Sequence, residues 1–134
     1  MKEQYLLDTN IIIHLLHGKF GIKERIIEVG IKNFYISDIT LAELYYGAYN
    51  SSSPATALES VNLVSKTFHQ LPISGSVLQR YGQEKTILRQ KGLLIDDFDI
   101  LIGTTAIINN MVIVSENIKH LSRLPLKLEN WVKR

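Results

Sequence analysis

Four consecutive apolar residues, Met111-Val112-Ile113-Val114, stand between Asn109-Asn110 and Ser115-Glu116-Asn117. Such a run has no polar side to offer water, so a strand built from it is buried on both faces. Sheets covered on both faces are mostly parallel, with helices above and below. The rest of the chain supplies matching parts. Tyr5-Leu6-Leu7 and Phe34-Tyr35-Ile36 read as short strands, and Leu126-Lys127-Leu128 as a last one. Gln70-Leu71-Pro72-Ile73 reads as a weak strand that its proline sends to the sheet edge. Helix-period stretches alternate with these strands: residues 10–17, stopped by Gly18; residues 21–31, with Ile22, Ile26 and Ile27 on one stripe; and about Ser37 to Tyr49. Three more follow: Pro54 to about Phe68, with proline in its first turn; Gly75 to Gln90, closed by Gly92; and Asp97 to Asn109. The alternation predicts an α/β fold, a three-layer α/β/α arrangement around a mainly parallel central sheet, in one domain over residues 1–134.

Composition narrows the chemistry. The chain has no cysteine, which excludes disulfides, zinc-thiolate sites and thiol nucleophiles together and fits a cytoplasmic home. No apolar run approaches the ~20 residues that span a bilayer, and no N-terminal leader pattern is visible, so no membrane partner is expected. A formal charge of +2 tolerates a polyanionic partner without demanding one. There is no Gly-Lys-Ser/Thr phosphate loop and no G-x-G-x-x-G after the first strand, which disfavours nucleoside triphosphate and dinucleotide cofactors.

The strands end alike. Leu7 runs into Asp8-Thr9-Asn10, Ile36 into Ser37-Asp38-Ile39-Thr40-Leu41-Ala42-Glu43, and Val114 into Ser115-Glu116-Asn117. In a parallel sheet these carboxyl ends share one edge, where ligands bind in open α/β folds. Asp96, Asp97 and Asp99 open a helix that leads into the last of these strands. Two carboxylates about 4 Å apart repel by roughly 4 kcal/mol at an effective dielectric of ~20, so a cluster calls for a proton or a cation. With no His/Cys ligand set nearby, oxygen donors favour magnesium or manganese over zinc. Such an ion can activate water and hold a phosphate oxygen, as phosphodiester hydrolysis requires.

Simpler roles compete. Asp8 reads equally well as the N-cap of the following helix. Thr40-Leu41-Ala42-Glu43 matches a capping box, which would make Glu43 a reciprocal cap; with Ser37 as the cap instead, Glu43 becomes a mid-helix acid that needs a reason. Asp96, Asp97 and Asp99 all suit the positive end of a helix. His14 and His17, at i and i+3, read as surface rather than as metal ligands. For Tyr45, Tyr46 and Tyr49, packing against a neighbouring helix or dimer partner is favoured over stacking on bases. Lys85, Arg89 and Lys91, like Lys119, His120 and Arg123, read as solvated faces, with phosphate contact second. Trp131 reads as an anchor for the tail.

Four blocks in order across nearly the whole chain resemble the PIN-domain ribonucleases, and among them the VapC-type toxins of toxin–antitoxin pairs. They are Leu7-Asp8-Thr9-Asn10; Thr40-Leu41-Ala42-Glu43-Leu44-Tyr45-Tyr46-Gly47; Asp99-Ile100-Leu101-Ile102-Gly103-Thr104-Thr105-Ala106; and Val112-Ile113-Val114-Ser115-Glu116-Asn117. The resemblance implies an endoribonuclease whose catalytic, metal-binding acids are Asp8, Glu43 and Asp99, holding magnesium or manganese. Thr9 and Asn10 would position Asp8 or a water on the ion, with Thr40, Ser115 and Glu116 in support. Asp97 is a further candidate ligand. Asn117 occupies a position where the family often carries a fourth acid, and would act through water. Implied partners are an RNA substrate, in some relatives initiator transfer RNA, and a VapB-like antitoxin. A homodimer is expected on the same ground. The tyrosine-rich stretch from Leu44 to Tyr49 would form the antitoxin's groove, with an arginine of the antitoxin reaching the acids. A non-catalytic PIN-like module that binds RNA or protein is the alternative, kept open by Asn117. A phosphoacceptor domain is disfavoured, because the aspartate pair and strand-end lysine it needs are not evident.

Overall fold

Among the described residues, five strands pair in the order β3-β2-β1-β4-β5, every pair parallel. The computed structural model describes residues 3–134. In chain order the elements are β1 (Tyr5–Leu7), α1 (Thr9–Leu16), α2 (Ile22–Val29), β2 (Phe34–Ser37), α3 (Asp38–Tyr49), α4 (Pro54–Thr67), β3 (His69–Leu71), α5 (Gly75–Gln90), α6 (Asp97–Ile108), β4 (Val112–Val114), α7 (Ile118–Leu121) and β5 (Lys127–Glu129). A 3-10 turn, Ile31–Asn33, leads into β2.

Period-two alternation divides the strands between two cores. Leu7, Phe34, Ile36 and Val114 face one side and pack with Ile11, Ile12 and Ile26 of α1 and α2 and with Leu44, Val61 and Val64 of α3 and α4. Leu6 and Ile113 face the other side, against Leu88 of α5 and Ile100, Ile102 and Ala106 of α6. The three-layer α/β/α expectation holds, and the sheet is wholly parallel rather than mainly so. Trp131 is buried against Tyr5 and Phe34, which pins the tail to the first core.

Differences from the sequence reading are at element ends. β3 stops at Leu71, before Pro72, because proline has no N–H for the ladder. It is an edge strand, as its proline predicted. α5 ends in a Schellman motif: Gly92, at φ +67°, donates to the Arg89 carbonyl, and Leu93 donates to the Leu88 carbonyl. α6 ends the same way, with Asn110 at φ +52° in the glycine's place, one residue before the turn into β4. The four-residue α7 carries too short a pattern to have been read from sequence.

Strand order places the site. From β1 the chain builds outward through β2 to β3, then returns to the other side of β1 for β4 and β5. The order therefore reverses between β1 and β4, and a crevice opens beyond their carboxyl ends. Asp8 and Ser115 are the residues that follow those two strands.

Candidate active site at the topological switch point

Asp8 caps the first helix and also reaches the residue that follows β4. Its Oδ1 accepts the Thr9 N–H at 2.8 Å and so caps α1. Its Oδ2 points across the sheet and accepts the Ser115 hydroxyl at 2.6 Å and the Asn10 amide at 3.4 Å. The residue is only 4% exposed. Burial pushes its carboxyl above the usual carboxylate range, while the bonds from Ser115, Thr9 and Asn10 pull it back.

Ser37, not Thr40, caps α3: its hydroxyl accepts the Thr40 N–H at 3.1 Å. The capping-box alternative for Glu43 is thereby removed. Glu43 instead lies in the second turn of α3, half-buried, where its Oε1 accepts the Thr9 hydroxyl at 2.7 Å. Thr40 is fully buried beneath this contact, its hydroxyl within hydrogen-bonding distance of both Thr9 and Ser37. Thr9 thus ties the first acid's helix to the second acid.

Asp99 comes from the first turn of α6, capped by Asp96, whose side chain accepts the Phe98 N–H. Asp99 Oδ2 accepts the Asn117 amide at 3.1 Å, and His120 Nδ1 stands 3.9 Å away. Burial is the main cause raising both Glu43 and Asp99. The Asp8 charge raises each of them further, and the Asp99 charge raises Glu43. Three carboxylates from three elements therefore feel one another across a common space.

The β4–α7 turn is held from both sides. Asn10 Oδ1 accepts the Glu116 N–H at 3.1 Å, and Ser115 Oγ accepts the Asn117 N–H at 2.9 Å. Ser115, which donates to Asp8 and accepts from Asn117, couples the first acid to the amide that steadies the third.

Two predicted participants are placed elsewhere. Asp97 accepts the Tyr81 hydroxyl at 2.8 Å and pairs with Lys85 at 2.8 Å, bonds that hold its carboxyl below the usual range. Residues two apart on a helix do not share a face, so Asp97 is directed to α5 when Asp99 is directed to the site. Glu116 contributes its backbone to the site, but its carboxylate pairs with His14 and with Arg134 at 2.7 Å. His14 is partly exposed, as expected, and its pairing with Glu116, 102 positions away, had no local signal in the sequence. Lys85 and Arg123 likewise have specific bonds, Arg123 to the carbonyls of Leu93 and Leu94.

Among the described residues, no three His, Asp or Glu side chains already form a closed metal cage. The donor chemistry nonetheless suits a hard divalent cation. Every candidate donor is an oxygen, and three carboxylates raised by burial, two of them also by the Asp8 charge, would gain from a positive charge between them. Magnesium keeps most of its water and needs only one or two carboxylates, so an open cluster fits it better than a closed cage would.

The PIN domain family model matches residues 5–125. The chain belongs to the PIN-domain family. This PIN domain is 36% identical over 132 residues to Ribonuclease VapC2 of Rickettsia felis, covering 96% of this chain and 98% of the relative. It is 30% identical to the tRNA(fMet)-specific endonuclease VapC of Salmonella typhimurium, with the same coverage. Among solved structures, VapBC2 from Rickettsia felis, bound to a DNA fragment from their promoter, superposes with a TM-score of 0.87 at 34% identity, covering 95% of this chain and 98% of that one. The PIN fold thus accounts for the switch-point crevice and for the strand ends that line it. No helix among the described residues is long and apolar enough to cross a membrane.

Proposed function

We propose that this PIN domain is a magnesium- or manganese-dependent endoribonuclease, acting in the cytoplasm as the toxin of a VapBC-type pair. The observation that carries the proposal is the convergence of Asp8, Glu43 and Asp99 on one crevice: all three are raised by burial, and Glu43 and Asp99 are raised further by the Asp8 charge. Asp8, Glu43 and Asp99 are the groups that would hold the ion. When bound, the ion supplies a positive charge on the scissile phosphate and lowers the pKa of an attacking water.

The chain's own residues prepare the site. Ser115 and Thr9 orient Asp8 and Glu43 through hydroxyl donors: Asp8 Oδ2 and Glu43 Oε1 are fixed by them, and Asp8 Oδ1 by the Thr9 N–H. Asn117 fixes one oxygen of Asp99 and can also hold a water of the ion's shell. With its amide donor in place of a fourth acid, the site carries three carboxylates to balance, which suits a single ion. Fixing these groups before substrate arrives removes the reorganisation that a loose cluster would undergo in the transition state.

The relatives' names support RNA as substrate and transfer RNA as its class. The solved VapBC2 structure supports a VapB-like antitoxin as partner. A groove of about 340 Å³ between α1, α3 and α4, with Ile13, Leu16, Leu44 and Val61 in its walls and Glu43 at its rim, suits an apolar segment of that antitoxin. An arginine from that segment would satisfy Glu43 and displace the ion. The exposed Tyr49 on α3 is available to a homodimer contact.

The test is cleavage of total transfer RNA by purified chain with magnesium, with chelator, and after chelator with manganese restored. Cleavage is expected only with the metals, and Asp8→Asn and Asp99→Asn are expected to abolish it. Equal cleavage by wild type and Asp8→Asn would remove the proposed site. Metal-independent RNA binding without cleavage would favour a non-catalytic module.

A further inference from the structure

Next to the acids, on the side facing α6, is a second cavity of about 540 Å³, walled by Thr9, Ile13, Ala42, Glu43, Tyr46 and Phe98. Two of its walls are large aromatic rings that the fold leaves uncovered, Tyr46 at 74% and Phe98 at 44% exposure. The nearby Tyr45 behaves differently: it packs against the first core and its hydroxyl bonds Asn62. The tyrosine stretch therefore divides, and Tyr46 has no packing role that would explain it.

Each ring comes with an acid of the site. Tyr46 follows Glu43 by three residues, which puts the two on one face of α3. Phe98 immediately precedes Asp99 at the start of α6. A ligand in this cavity meets flat apolar faces on one hand and the Thr9–Glu43 pair on the other. A nucleotide has that composition, with a planar base joined through a sugar to a phosphate that a cation on carboxylates can hold.

We propose that Tyr46 and Phe98 form a stacking platform for an unpaired base next to the scissile phosphate. The inference rests on the nuclease reading above and adds to it two residues that would hold the base beside the cleaved bond. A base can reach these rings only when it is out of a duplex, so the platform selects single-stranded or loop RNA over helical RNA. Stacking is tolerant of base identity, so the platform sets the structure recognised and leaves sequence preference weak.

The experiment uses Asp8→Asn chain with magnesium, to prevent cleavage, and a short single-stranded RNA carrying 2-aminopurine, whose fluorescence falls when it stacks. Quenching is expected with this chain and with Tyr46→Phe added. Tyr46→Leu and Phe98→Leu keep apolar bulk but lose the ring, and each is expected to lose the quench and to weaken binding on the order of ten-fold. In the cleaving chain the same leucine variants should raise KM and leave kcat nearly unchanged, since stacking binds ground and transition states alike. Unchanged quenching and affinity in both leucine variants overturns the proposal. So does a loss of binding that coincides with a fall from dimer to monomer in sedimentation, which would assign the rings to a contact between copies. Equal affinity for the strand and its duplex also overturns it. A chain that quenches the probe but cuts no RNA supports the platform while ending the nuclease reading. A chain that does neither ends both.

Discussion

The hydroxyl of Ser115 donates to Asp8 Oδ2 at 2.6 Å, joining two residues that are 107 positions apart and end adjacent parallel strands. This bond sits where the strand order reverses, and it ties the two halves of the sheet together at the site. Asp8 is almost fully buried, so a lost donor there is not replaced by water at low cost. Ser115→Ala is expected to destabilise the fold by about 1–3 kcal/mol. It should also weaken manganese binding by roughly 10- to 100-fold, the range for groups that orient a ligand. Urea unfolding and calorimetric titration measure the two effects, and unchanged metal affinity would reduce Ser115 to a purely structural residue.

The raised carboxyls make a signed prediction for pH. Asp8, Glu43 and Asp99 have folded-state values above their ordinary 3.8, 4.5 and 3.8. Between those ordinary values and the raised ones the folded chain holds more protons than the unfolded chain. The stability they contribute is full below the ordinary values and is lost as pH rises through the raised ones. Asp97 and Glu116, held low by their cationic partners, act in the opposite sense and lose their contribution as pH falls. Comparison with Asp8→Asn isolates the first effect. In chelator, this variant should melt above wild type at neutral pH, with the gap closing toward pH ~4. Added manganese should raise the Tm of wild type only. A gap that widens on acidification would mean that Asp8 is stabilised by its charge and not strained by it.

Asn117→Asp replaces an amide donor with a fourth carboxylate beside Asp99. The Asn117 bond now lowers the Asp99 carboxyl, while the Asp8 charge raises it. The substitution reverses the first of these influences and adds to the second. Metal-free chain should therefore lose stability at neutral pH, by about 1–3 kcal/mol, and should regain it with manganese. Metal affinity should increase. Melting curves with and without manganese decide the matter, and a variant insensitive to the ion would place residue 117 outside the ion's reach.

Glu116→Gln tests which neighbour of the turn matters. The Glu116 carboxylate is committed to His14 and Arg134, and only its N–H serves the site, through Asn10. Cleavage should stay within about three-fold of wild type. Asp99→Asn should lower it by more than about 100-fold, beyond what outer groups account for. Rates on transfer RNA measure both. A comparable loss in the two variants would bring Glu116 into the ion's ligand set.

The α/β architecture was readable because the inner strands β1, β2 and β4 are short and apolar, and helices with their own stripe or stop signal alternate with the strands. Val112-Ile113-Val114 could be buried on both faces or not formed at all, and Pro72 left β3 no place except an edge. Element ends were less legible. Asn110 taking a left-handed turn depends on what α6 and β4 need from the chain between them, and the residue type alone did not announce it.

Asp8, Glu43 and Asp99 were nameable together through the four blocks that resemble the PIN-domain family, while parallel topology accounts for the shared edge on which the strand ends fall. Asp97 was named as a further candidate beside Asp99, although an i, i+2 pair on a helix does not share a face. Which of the two faces the site was decided by tertiary structure: Tyr81 and Lys85 of α5 draw Asp97 away, and Asn117 receives Asp99. The same is true of Glu116, which His14 and Arg134 hold off the site. Sequence determined the strands, the helices and the edge on which the acids gather. Contacts between residues far apart in the chain decided which acids turn inward, because hydrogen bonds and burial act through space and leave no mark in local pattern.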